Sequence, residues 1–131
     1  MKALLLLCFT LLVTACSTTD WARETATPEW LVGTWLMAHE GDRDLIACAS
    51  SAPIAYAPDG TYNLFEERGT WHLEGNRLTE TATEAYETAD PGTVQIGRPY
   101  VSRIERVGPD EFLKTYASGE RETFLRCPAP E

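Results

Sequence analysis

From residue 30 to residue 127 the chain is a succession of short apolar, aromatic and β-branched runs, each ended by turn residues, and this repetition leaves few folds open to it. Eight runs are predicted as strands: 30–38, 45–57 (interrupted around Pro53), 61–67, 69–73, 77–83, 100–107, 111–116 and 120–127. Asp59-Gly60, Gly75-Asn76, Gly108-Pro109-Asp110 and Ser118-Gly119 supply the turns between them. No stretch carries a convincing helical period. Closely linked hairpins make an up-and-down meander, and a meander of this length removes its exposed edges by closing into a barrel. The expected fold is all-β, a small antiparallel up-and-down β-barrel of about eight strands. One long connection, residues 84–99, contains Ala89-Asp90-Pro91-Gly92 and reads either as a lid over one barrel mouth or as a plain loop.

Ahead of the strands, Lys2, the apolar run 3–13 and the small residues Thr14 and Ala15 have the layout of a secretory signal. The run is shorter than the about 20 residues that a membrane-spanning helix needs. Leu12-Val13-Thr14-Ala15-Cys16 resembles the lipobox of bacterial lipoproteins. That resemblance implies removal of residues 1–15 and acylation of Cys16, whose chains anchor the protein at about 0.8 kcal/mol per buried methylene. Ser17 is not aspartate, which by the same resemblance implies the outer membrane, facing the periplasm. Residues 16–29 are polar and threonine-rich and are expected to form a lipidated tether. Trp21 stands out there, placed to pack back on the domain or to touch the membrane interface. Residues 30–131 are assigned to the barrel.

Removing the signal leaves 116 of the 131 residues, enough for one modest core and too few for two domains. It also removes Lys2, so ten basic residues face twenty acidic ones and the formal charge becomes −10. Such a chain repels phosphate, which argues against nucleic acid as a partner and leaves neutral, apolar or basic ones. Of the four cysteines, Cys8 leaves with the signal and Cys16 takes the lipid, so Cys48 and Cys127 remain as a pair. In an oxidising envelope they are expected to form a disulfide closing a loop of about 79 residues, which stabilises by about 4.5 kcal/mol through loop-closure entropy. They lie too far apart for a C-x-x-C redox centre.

Gly33-Thr34-Trp35 in the first strand resembles the G-x-W of lipocalins, which opens strand one in that family. The stretch Tyr56-Ala57-Pro58-Asp59-Gly60-Thr61-Tyr62, with Gly69-Thr70-Trp71 and Gly75-Asn76-Arg77-Leu78, is similar to small bacterial lipocalin-like lipoproteins. The resemblance covers most of residues 30–127. It implies that Gly33 and Trp35 sit at a closed barrel base, where the tryptophan packs against a basic residue of the last strand, Arg121 or Arg126. A weaker similarity, through Ser118-Gly119, is to membrane-bound lysozyme inhibitors, which are also small disulfide-linked barrels on lipid anchors.

Signals of catalysis are thin. His39 lies with Glu40, Asp42 and Asp44 in a polar turn that lacks the D-x-D-x-D-G spacing of a calcium loop, so a solvated hairpin tip is expected. His72 follows Trp71 in a strand; by alternation Trp71 points inward and His72 outward. No G-x-S-x-G, H-E-x-x-H, phosphate loop or dinucleotide fingerprint occurs, so neither an enzyme nor a cofactor is expected. Trp35, Tyr62, Leu64, Trp71, Phe112 and Tyr116 are candidate inward residues, lining a ligand cavity or filling the barrel. The expectation is a lipid-anchored envelope protein that holds a small apolar or amphipathic ligand. The alternative is an interaction module working through its loops, such as an inhibitor of a cell-wall-lytic enzyme or a structural accessory.

Overall fold

The computed structural model describes residues 25–38, 43–50, 53–85 and 95–129. The elements are α1 (Pro28–Leu31), β1 (Gly33–Ala38), α2 (Ala47–Ser50), β2 (Ile54–Tyr56), β3 (Thr61–Leu64), β4 (Glu67–Glu74), β5 (Arg77–Ala85), β6 (Pro99–Gly108), β7 (Glu111–Tyr116) and β8 (Arg121–Arg126). Each strand pairs antiparallel with the next, and β1 pairs with β8, so the eight strands close into a barrel with no free edge. Burial follows the pleat: along β4, Gly69, Trp71 and Leu73 are buried while Arg68, Thr70 and His72 are exposed. The expected all-β up-and-down barrel and the Cys48–Cys127 disulfide are both present.

Several boundaries differ from the sequence reading. The first predicted strand, 30–38, opens instead with α1, because Thr27 caps Trp30 N–H (3.2 Å) and Pro28 occupies a first-turn position where no amide donor is needed. The core also takes in Ala26, ahead of the domain start expected at Trp30. The described residues of 45–57 hold α2 and a three-residue strand, β2. The β3–β4 hairpin turns at Phe65-Glu66, since Leu64 pairs with Glu67, and β4 begins earlier than expected. The long connection is shortened at both ends by β5 and β6; residues 86–94 lie outside the described residues, as do the signal, Cys16, Trp21 and His39.

Two close approaches explain glycines inside strands. A Cβ on Gly69 would lie 2.2 Å from the Thr81 carbonyl and 2.6 Å from the ring of Tyr62, its partner on the neighbouring strand. At Gly33 the backbone has φ 137°, and a Cβ would meet the Arg126 guanidinium at 2.7 Å. In the Asp59-Gly60 turn, Asp59 Oδ1 accepts from the Thr61 hydroxyl (2.6 Å) and amide (2.9 Å), which hold its carboxyl below the usual carboxylate range.

One end of the barrel is shut by α1. Leu31 is fully buried, Trp35 Nε1–H donates to its carbonyl (2.8 Å), and Trp30 packs on Trp35 (centroids 5.0 Å apart) and edge-on to Phe112 (6.1 Å). Arg126 fastens the plug: its guanidinium donates to the carbonyls of Val32 (3.0 Å) and Trp30 (2.6 Å) and lies 4.1 Å from the centre of the Trp35 ring. Arg121, the other basic residue considered for this place, is exposed at the start of β8, at the opposite end of the strand. The β1–β2 connection returns to the closed end, where Arg43 makes a forked ion pair with Glu111 (3.0 and 2.9 Å) and Cys48 bonds Cys127.

Candidate functional site

Inward residues near the closed end fill the barrel themselves. Phe112 is fully buried, stacked on Phe124 with centroids 4.8 Å apart and edge-on to Trp35 at 4.8 Å. Trp71 packs edge-on against Tyr56 at 5.5 Å and donates to the Ala57 carbonyl (3.1 Å). Both belong to the hydrophobic core, and neither is among the residues that line the cavity in the other half of the barrel: Trp30 of α1, Trp35 and Phe124 pack around Phe112, and Tyr56 packs against Trp71.

The other half of the barrel holds a cavity of about 720 Å³, within the range of small-molecule sites. Trp35, Tyr62, Leu64 and Tyr116 line it, joined by Ile54 and Phe124. It runs from buried Trp35 to exposed rim residues, among them Met37, Arg98 and Ser118. At the rim Arg98 donates to Gln95 Oε1 (2.7 Å), and the Gln95 amide donates to the Tyr100 hydroxyl (3.1 Å). Ser118 also accepts from the Glu120 amide (3.3 Å) in the β7–β8 turn.

The cavity is not simply greasy. Lys114 and Glu80, both buried and both on its wall, form an ion pair with Nζ 2.6 Å from Oε2. The Tyr56 hydroxyl donates to the second carboxylate oxygen, Oε1, at 2.5 Å. Burial, reinforced by the Glu80 carboxylate, pushes the Tyr56 hydroxyl well above its ordinary pKa. The Lys114 ammonium also lies 5.3 Å from the Tyr116 ring centre and 5.6 Å from that of Phe124. Ser102, on the strand between, is 4% exposed, and its Oγ is buried without a hydrogen-bond partner among the described residues. Its register places it diagonally between the pair: Ser102 faces Leu78 and Tyr116, while Glu80 faces Tyr100 and Lys114 faces Ile104. Nearer the mouth, Tyr62 donates to Glu67 and Tyr116 to Glu122; burial first, and then these carboxylates, raise both tyrosine pKa values.

Sequence reasoning missed Glu80, Ser102 and Lys114, although a signal existed. Phe112 and Tyr116 are inward candidates, and alternation puts Lys114 on the same face; the same count from Leu78 reaches Glu80. His72 is exposed on the outer face of β4. Of the polar turn at 39–44, only Arg43 and Asp44 are described, and Asp44 Oδ1 accepts from the Ile46 amide (2.9 Å). Among the described residues, no three His, Cys, Asp or Glu side chains converge as a metal site.

Comparison with known proteins adds no relative: no family model, no curated protein and no solved structure matches this chain.

Proposed function

We propose that this protein is a lipocalin-like barrel, held on the cell envelope by a lipid on Cys16, that binds one small apolar or amphipathic molecule without catalysis. The observation that carries the reading is the 720 Å³ cavity in a barrel closed at the other end by α1 and Arg126. A barrel of eight strands is just wide enough to be filled by its own side chains or to hold one small ligand, and here only the closed half is filled. The Gly33, Trp35 and Arg126 arrangement supports the lipocalin resemblance, and the lipobox supports an anchor in the outer membrane facing the periplasm. Native mass spectrometry of the domain from Ser17 onward, purified from an oxidising periplasm, tests it. A small molecule that is lost on denaturation is the expected result; a protein that is empty from every preparation and takes up no amphiphile overturns the reading.

A second reading, an envelope interaction module, draws on Phe65. This residue sits at the tip of the β3–β4 hairpin with φ 44° and is 72% exposed, a bulky apolar side chain in a backbone region that usually holds glycine. Ile96, in the β5–β6 connection at the same end of the barrel, is 55% exposed. Co-purification of a defined envelope protein, abolished by Phe65→Ser, would move the assignment to this reading.

A further inference from the structure

We propose that the cavity selects amphiphiles whose head group is an uncharged oxygen acceptor, a hydroxyl or carbonyl, over those that carry an ionised carboxylate, and that Glu80, Ser102 and Lys114 set this choice. The inference rests on the cavity being a binding site. Three observations carry it. First, Lys114 would by itself attract a carboxylate, but its charge is already met by Glu80 at 2.6 Å in a buried setting. A carboxylate brought beside the pair leaves a net negative charge away from water, and an uncompensated buried charge is strongly unfavourable. Second, hydrogen-bonding capacity remains for a neutral head. An ammonium has three hydrogens, and the hydrogen bond Lys114 makes among the described residues is to Glu80. Both Glu80 oxygens already accept, one from Lys114 and one from Tyr56, so donors predominate. Third, Ser102 on the strand between them has a buried hydroxyl with no partner among the described residues. Buried polar groups are normally paired, and a ligand oxygen received here would satisfy both the hydroxyl and a Lys114 hydrogen. The aromatic wall of Trp35, Tyr62, Tyr116 and Phe124 would then take the alkyl portion.

The test compares n-decanol with decanoate, two probes that share a chain length and differ in the head, titrated against the intact domain by calorimetry and by tryptophan fluorescence. The titrations are run at neutral pH in about 1 M salt, where screening to about 3 Å suppresses repulsion between decanoate and the acidic surface but leaves the buried pair unscreened. The expected result is that decanol binds about tenfold or more tightly than decanoate. Glu80→Gln, which leaves Lys114 uncompensated, should reverse the order. Ser102→Ala should weaken decanol about fivefold while raising the melting temperature of the ligand-free protein, a combination that a purely structural serine would not give. The wild-type comparison stands whether or not the variants fold. If both probes bind and decanoate is equal or tighter, the head-group inference is overturned while the cavity reading stands. If neither binds, the inference is overturned, and native mass spectrometry decides the cavity reading separately.

Discussion

Arg126 shows how much one side chain carries at the barrel base. Its two carbonyl bonds satisfy the end of α1, and its stacking on Trp35 fixes the ring that floors the cavity; the ion pair with Asp110 (3.0 Å) is largely exposed and adds little. Lysine would keep the charge but lose the planar fork, so Arg126→Lys should destabilise the domain by about 2 kcal/mol in urea unfolding. A change below about 0.5 kcal/mol would mean that α1 is held by Leu31 and Trp30 alone. Tyr56 leads to a second expectation. Its folded-state pKa lies above the unfolded value of about 10, so the folded state retains a proton that the unfolded chain releases. The stabilisation is fully present below about pH 10 and declines as pH rises further, at about 1.4 kcal/mol per pH unit for this residue. Tyr62 and Tyr116 act with the same sign. Phenolate absorbance should therefore develop for these residues only as the protein unfolds, and Tyr56→Phe should flatten the alkaline stability slope. Tyr56 ionising in the folded barrel would contradict this account.

Among the elements, legibility followed the strength of local pattern. β7 was read with its observed limits, Glu111–Tyr116, because its alternation is flanked by clear turns. α1 was missed because four residues are too few for a helical period, and its apolar residues merged with the strand that follows. The Phe65-Glu66 turn contains no Gly, Pro, Asn, Asp or Ser, so nothing in the sequence announced it. The site was half legible: the aromatic wall could be read from inward positions, but charged residues are read as surface by default, which hid Glu80 and Lys114. Pairing of β4 with β5 depends on Gly69, where the register shifts and the Tyr62 ring lies against the backbone. Gly69→Ala should cost about 2–3 kcal/mol through that crowding and should displace Tyr62 from the cavity wall, which tyrosine NMR shifts would report. A neutral effect would show that the wall relaxes there without loss.

For the molecule as a whole, the two ends of the barrel are built differently, and the disulfide belongs to the closed one. Cys127 follows β8, its amide donates to the Thr34 carbonyl (2.8 Å), and Cys48 brings the β1–β2 connection to the same end. The bond therefore joins segments that adjoin β1, the strand through which the barrel closes on β8. A separation of 79 residues makes the loop long, and its closure removes unfolded-state entropy equivalent to about 4.5 kcal/mol. Domains of this size have a total stability of about 5–15 kcal/mol, so loss of the bond should remove between about a third and nearly all of it. The Cys48→Ser, Cys127→Ser double variant should shift the urea midpoint to a far lower concentration, with the slope rising as the unfolded chain, no longer tied, exposes more surface. Adding reductant to the wild-type protein should produce the same shift, and adding it to the variant should produce none. Equal midpoints for oxidised wild type and variant would mean that the unfolded chain already holds its ends together without the bond. The barrel would then owe its stability to the aromatic base rather than to the covalent tie, and an oxidising compartment would not be needed for it to fold.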